Sequence, residues 1–234
     1  VTECADINEP DAVAALAAEG PEVLCVVDFG QLLRPPVRQV ASRSAFNLHG
    51  SLLPALRGAA PVNWAILRGL AETGVTTFEL VDRMDAGPIY LQARTPLQPA
   101  ETAEELRLRL AEMGAGVVCE TLDLLATGRA EPREQDGEQA TLAPRLRKED
   151  GRIDWTQDAA AVRNRIHGTW PWPGARARLV RADAGDKAIT VTLARATARD
   201  DAPAGAPGTV HEDRSVSCGR GRLEVRELKP AGKR

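Results

Sequence analysis

Four absences narrow the reading before any motif is considered. No uninterrupted apolar run approaches the roughly 18–20 residues that cross a bilayer, and the N-terminus lacks the basic-then-apolar order of a signal peptide. A chain with no membrane association is therefore expected, soluble and cytoplasmic. The four cysteines, Cys4, Cys25, Cys119 and Cys218, stand far apart with no CxxC pair, so they imply neither a zinc site nor a disulfide framework and read as free thiols. Histidine is scarce, with three residues, and none is spaced from other ligand types as a metal centre requires, so no metal is expected. Phosphate-cradling glycine loops are missing too. With no Gly-x-Gly-x-x-Gly after a strand, no Gly-x-x-x-x-Gly-Lys and no serine elbow, dinucleotide, nucleoside-triphosphate and serine-hydrolase chemistry have no support.

What is present is globular: 43% hydrophobic and 27% charged residues over 234 positions, enough for two modest domains. The net charge of −3 hides a polarity. Residues 1–144 hold 11 Lys or Arg against 21 Asp or Glu, a balance of −10, whereas 145–234 hold 19 against 12, a balance of +7. Such a basic half fits a polyanion such as RNA, whose phosphates reward neutralisation by releasing counterions. Ordinary surface charge in an Arg-rich chain would give the same imbalance.

Local patterns point to an α/β first half. Pro10 to Ala18 reads as a helix stopped by Gly20, and Glu22 to Phe29 as a strand buried on both faces of a parallel sheet. A short strand from Ala45 to Leu48 runs into His49, Gly50 and the Leu53-Pro54 turn, and Pro61 opens a helix carrying Trp64, Ile66 and Leu67. A further strand, Val75 to Val81, reaches the turn from Asp82 to Gly87, and Ile89 to Leu91 continues beyond it. Thr102 and Glu105 form a capping box before a long amphipathic helix that ends at Gly128. Residues 130–141 read as a polar connecting loop. After a short helix, Ala159 to Ile166, the Trp170-Pro171-Trp172-Pro173-Gly174 run cannot be helical. Short strand-like runs between Gly, Pro and Asp turns then suggest a small β domain, for which a partly open five-stranded barrel suits the length. These patterns divide the chain into 1–129, a linker 130–152, and 153–234.

Asn47 and His49 sit two apart at a strand end, so an extended backbone turns both to one face. An amide that donates and an imidazole that exchanges a proton are what acyl transfer to an amine needs, and a carboxylate near the imidazole would fix its tautomer and favour its charged form. Asp85, at the next strand-to-turn junction, is the candidate carboxylate, although an Asp in such a place commonly serves only the turn.

The string FNLHGSLLPALRGAAPVNWAI, followed by ETGVT and MDAGPIY, closely resembles the folate-dependent formyltransferase family. That resemblance implies a Rossmann-like catalytic domain followed by a small, OB-like β-barrel, with 10-formyltetrahydrofolate as one-carbon donor and no metal. It makes Asn47, His49 and Asp85 the catalytic trio, and Ser51, Leu52, Leu53 and Pro54 the folate-contacting loop. The run VVDFGQLL resembles the segment lining the pterin pocket, which brings in Asp28, Phe29 and Gly30. Gly50 stands where other members often have Ala.

In the second half LAPRLRKEDGRIDW, WPWPGA and CGRGRLEVRELKPAGKR resemble the branch whose acceptor is initiator methionyl-tRNA. A monomer is implied, with Arg145, Arg147 and Lys148 in the linker and Lys229, Lys233 and Arg234 at the end as phosphate contacts. Against full-length members, at least one opening strand–helix unit and a final element are expected to fall outside this sequence. Two other readings stay open: a formyltransferase acting on an amino sugar nucleotide, and a non-catalytic RNA-binding fragment.

Overall fold

The computed structural model describes residues 3–180 and 188–230. It divides into two compact units, one made of Val1–Pro61, Thr73–Thr95 and Arg109–Pro144, the other of Val62–Glu72, Pro96–Leu108 and Arg145–Arg234. Lys233 and Arg234 lie outside the described residues.

In the first unit α1 (Pro10–Ala18) starts on a proline whose missing N–H costs nothing at a helix N-terminus, and Gly20, at φ +57°, turns the chain out of it. Strands β1 (Val23–Val27), β2 (Ser44–His49), β3 (Glu72–Glu79) and β4 (Ile89–Pro96) form one sheet in the order β1-β2-β3-β4, with a short α2 (Pro35–Arg38) between the first two.

Two sequence expectations are corrected here. β1 is not buried on both faces: among the described residues it is an edge strand, with Cys25 and Val27 exposed, because only β2 pairs with it. The sheet is also mixed and not parallel throughout, since β2 runs parallel to β1 and antiparallel to β3. A β1–β2 parallel pair demands a long crossover, whereas β2 to β3 can turn back through α3 (Pro61–Leu67).

The long α4 (Ala103–Ala126) opens on Thr102, whose hydroxyl and N–H both donate to the Glu105 carboxylate at 2.8 and 2.9 Å. Its later turns cover one face of the sheet. A Cβ added at Gly114 would lie 2.6 Å from the Leu48 Cδ2 atom, and Thr121 shares a 2.7 Å hydroxyl bond with Thr77 of β3. Because Leu48 faces α4, pleating turns its neighbours Asn47 and His49 to the opposite side.

The second unit contains α5 (Ala159–Gly168), capped by Asp158, and an antiparallel sheet ordered β5-β6-β8-β7. Its strands are β5 (Ala175–Val180), β6 (Ala188–Arg199), β7 (Ser215–Ser217) and β8 (Arg222–Pro230). The described residues thus supply four strands of the five-stranded barrel expected. Val162 and Ile166 of α5 bury one face of this sheet against Val191, Leu193 and Leu223. Among the described residues no helix is long and apolar enough to cross a membrane.

Candidate active site

His49 ends β2 and is only 5% exposed, with its ring edge-to-face against Phe78 at 6.3 Å. Its Nε2 lies 2.9 Å from the Leu56 carbonyl oxygen. A carbonyl can only accept, so Nε2 carries the proton and the neutral ring presents Nδ1 as the basic atom. That Nδ1 lies 3.8 Å from the Asp85 carboxylate. The tautomer expected to be fixed by a carboxylate is therefore fixed by a backbone carbonyl, and Asp85 faces the nitrogen left without a proton. The spacing is longer than a hydrogen bond. Asn47, on the same face of β2, is half-buried, and its side-chain amide makes no hydrogen bond within the described residues.

Both partners of His49 hang from unusual backbone. Leu56 and Asp85 are non-glycine residues in the left-handed region, at φ +61° and +52°, each a conformation that persists only when neighbours hold it. Leu56 is held by burial of its side chain and by its N–H, which donates to the Thr141 hydroxyl at 2.9 Å. The Asp85 carboxylate accepts the Gly58 N–H at 2.7 Å. The Asp85 and Gly87 carbonyls both accept from the Gln135 amide, at 3.0 and 2.7 Å. Gly87 is pressed so closely onto β3 that a Cβ there would stand 1.8 Å from the Glu79 carbonyl oxygen.

Residues 133–143, which read as connecting loop, are laced to these site loops. Arg133 pairs with Ile89 through two backbone bonds, the Arg57 N–H donates to the Thr141 carbonyl at 2.8 Å, and the Ala143 N–H donates to the Arg57 carbonyl at 2.6 Å. The Arg57 guanidinium, mostly buried, donates through Nε and Nη2 to the Gln135 side-chain oxygen. Burial and then the nearby Arg83 lower its pKa, and the Asp85 charge opposes them. Leu56, Arg57, Gly58, Gln135 and Thr141 were not singled out from sequence. Leu56, Arg57 and Gly58 lie inside the longer string that carries the family resemblance, two to four residues past Pro54, but Gln135 and Thr141 carry no local signal.

The four residues assigned to the folate loop differ in exposure. Ser51 is 1% exposed with its hydroxyl donating to the Ala55 carbonyl, and Leu53 is 3% exposed, packed on Phe78 and Ile89. Leu52 and Pro54 are half-buried, and Leu53-Pro54 is cis. Asp28, Phe29 and Gly30 are exposed at the end of β1, and Phe29 helps line an apolar recess of about 220 Å³ with Leu24, Val26 and Val37. Among the described residues no three His, Cys, Asp or Glu side chains converge as metal ligands.

In the second unit Arg145, Arg147, Lys148 and Lys229 are exposed. The strand register adds residues that sequence reading did not single out. Arg152 bridges Arg176, Arg176 pairs with Thr192, and Thr192 pairs with Lys229. Directly paired residues share a face of a sheet, so three cations and a hydroxyl form one row across the side opposite α5. None of these cations has an ion-pair partner among the described residues.

A model of the formyl transferase family matches residues 3–122, and a model of the formyl transferase C-terminal domain matches residues 145–234. The chain is similar to methionyl-tRNA formyltransferase of Citrifermentans bemidjiense, 36% identical over 228 residues that make up 97% of this chain and 70% of that protein. The enzyme of the same name from Trichlorobacter lovleyi is 38% identical over 230 residues, again 97% of this chain and 70% of the relative. Among solved structures, HypX from Aquifex aeolicus in complex with tetrahydrofolic acid superposes with a TM-score of 0.70 at 23% identity, over 96% of this chain but only 39% of that one. At that identity the likeness speaks to the fold alone.

Proposed function

The chain belongs to the formyl transferase family, and from that premise we propose that it moves the formyl group of 10-formyltetrahydrofolate to the α-amino group of initiator methionyl-tRNA. The observation that carries the chemistry is the His49 ring, protonated at Nε2 by its bond to Leu56 and turned with Nδ1 toward Asp85. The amine attacks the formyl carbon directly. Asn47, its amide free on the same face, donates to the oxyanion that develops, where a preorganised donor contributes most. His49 Nδ1 takes the proton that the amine releases, and Asp85 stabilises the resulting imidazolium. As the bond between the formyl carbon and N10 breaks, the same proton passes to N10, leaving tetrahydrofolate and a formylated amine.

Folate is expected across the end of β2 and the exposed turn 28–30, with contacts from Leu52 and Pro54 and from backbone at Ser51 and Leu53, whose side chains are committed to the core. The acceptor assignment rests on the two relatives' names and is supported by the unpaired row Arg152, Arg176, Lys229 in the basic second unit, together with exposed Arg145, Arg147 and Lys148. In this reading the protein acts as a cytoplasmic monomer, the first unit doing the chemistry and the second gripping RNA phosphates.

The test offers the purified chain 10-formyltetrahydrofolate with methionyl-tRNA or with an amino sugar nucleotide and follows the formylated product. Transfer to the tRNA alone is expected. Replacing His49 by Ala should lower it by about 100-fold or more, with the fold intact by circular dichroism. Transfer to the sugar, or near-normal turnover by the variant, would sink the corresponding part of the proposal.

A further inference from the structure

Gln135 lies outside every motif by which the site is recognised, in a segment whose composition reads as a tether. Its side-chain oxygen accepts from Arg57 at 2.7 and 3.2 Å, and its nitrogen donates to the Asp85 and Gly87 carbonyls at 3.0 and 2.7 Å. The guanidinium has donors only and the carbonyls are acceptors only, so one orientation of the amide satisfies all four contacts.

We infer that Gln135 is a positioning residue for the proposed transfer, holding the Asp85 carboxylate opposite His49 by pinning the backbone of the 85–87 turn. This rests on the proton-stabilising role proposed for Asp85. Asp85 occupies the left-handed region at φ +52°, which Asp adopts more readily than most non-glycine residues but still at a cost that its surroundings must offset. Gly87 is wedged onto the Glu79 backbone on one side, and the two carbonyl bonds from Gln135 grip the turn. Arg57, which orients that amide, is itself tied by its backbone to Thr141 and Ala143. The next residue, Gly58, donates to the Asp85 carboxylate. The side chain of Arg57 thus reaches the turn through Gln135 while the adjoining N–H reaches the carboxylate directly. Without the Gln135 donors the turn is free to relax toward an ordinary φ, and the carboxylate leaves Nδ1. A displacement of about 1 Å at a reacting group is worth on the order of 100-fold in rate.

The decisive variant is Gln135→Glu, which keeps an acceptor for Arg57 and loses both donors. We expect kcat to fall about 10- to 100-fold while the KM values for folate and tRNA change less than about twofold, with an unchanged thermal melting profile. Gln135→Asn, an amide too short to span the same partners, carries the same comparison if the charged variant melts early. Each is also made on Asp85→Asn. If Gln135 acts through Asp85, the second substitution then changes the rate by less than about twofold. The same fold-loss in both backgrounds, or wild-type kcat in Gln135→Glu, overturns the positioning role while leaving Asp85 in place. Normal turnover by Asp85→Asn alone would instead remove the reading on which the inference stands.

Discussion

A histidine is useful in acyl transfer only if the right nitrogen is free, and here that choice belongs to a main-chain atom. The Leu56 carbonyl holds the proton on Nε2 and leaves Nδ1 toward Asp85. The same dependence on backbone applies at Gly87, where any side chain would strike the Glu79 carbonyl. Gly87→Ala must push the turn off β3 and carry Asp85 with it. We expect transfer to drop more than the folded fraction does, which parallel rate and melting measurements resolve, with a stability loss of about 1–3 kcal/mol typical of overpacking. Asn47, His49 and Asp85 could be put forward from sequence because each lies in a string that carries the family resemblance. Leu56, Gln135 and Thr141 could not, because what matters at Leu56 is a carbonyl that every residue possesses, and at the other two a side chain brought in from about 50 to 85 positions away.

Among the elements, α4 shows how far local rules reach. Its start was readable from Thr102 and Glu105, because a capping box is satisfied within four residues. Glu105 also bonds Arg195, and chiefly through that contact its pKa is lowered to about 2. Thr102→Ala removes the cap and should destabilise the protein by about 1 kcal/mol, read as a shift in the denaturant midpoint at constant slope. β1 shows the complementary limit. An apolar run of five does not reveal how many neighbours it will have, and among the described residues only β2 pairs with it, which leaves Cys25 and Val27 exposed. The direction of β3 relative to β2 was likewise set by how the chain returns through α3, which hydrophobic pattern does not encode.

Across the whole molecule the charge asymmetry becomes a surface only once strands pair. Arg152, Arg176 and Lys229 are far apart in sequence, and register places them in one row with Thr192. Like charges side by side on a sheet are unfavourable unless solvated or matched by an anion, and a phosphate chain would match them. Replacing the three by Gln should weaken methionyl-tRNA binding. It should also flatten the dependence of log affinity on log salt by about 0.7–0.9 per lost phosphate contact, while the KM for folate stays as it was. The second unit should also soften in acid. His167 is 2% exposed and its Nε2 accepts the Ala196 N–H, so the native ring is neutral there; burial first, then Arg163 and Arg195, pull its pKa down to about 4. The unfolded chain, with an ordinary value near 6.5, binds the proton more readily. This contribution to stability is therefore complete above about pH 6.5 and lost progressively as pH falls toward 4. Melting followed from pH 7 to 5 should show the decline, and His167→Gln should lessen its slope.

By itself the sequence determined the family, the start of α4 and the basic character of residues 145–234, and it put forward Asn47, His49 and Asp85 as candidates, because motifs, caps and composition are properties of neighbours along the chain. Only the tertiary structure decided which nitrogen of His49 is basic, that residues 133–143 brace the site, and which cations share a face. Those are relations between atoms far apart in sequence, and they exist only after backbone groups without chemical identity of their own have been brought within hydrogen-bonding distance.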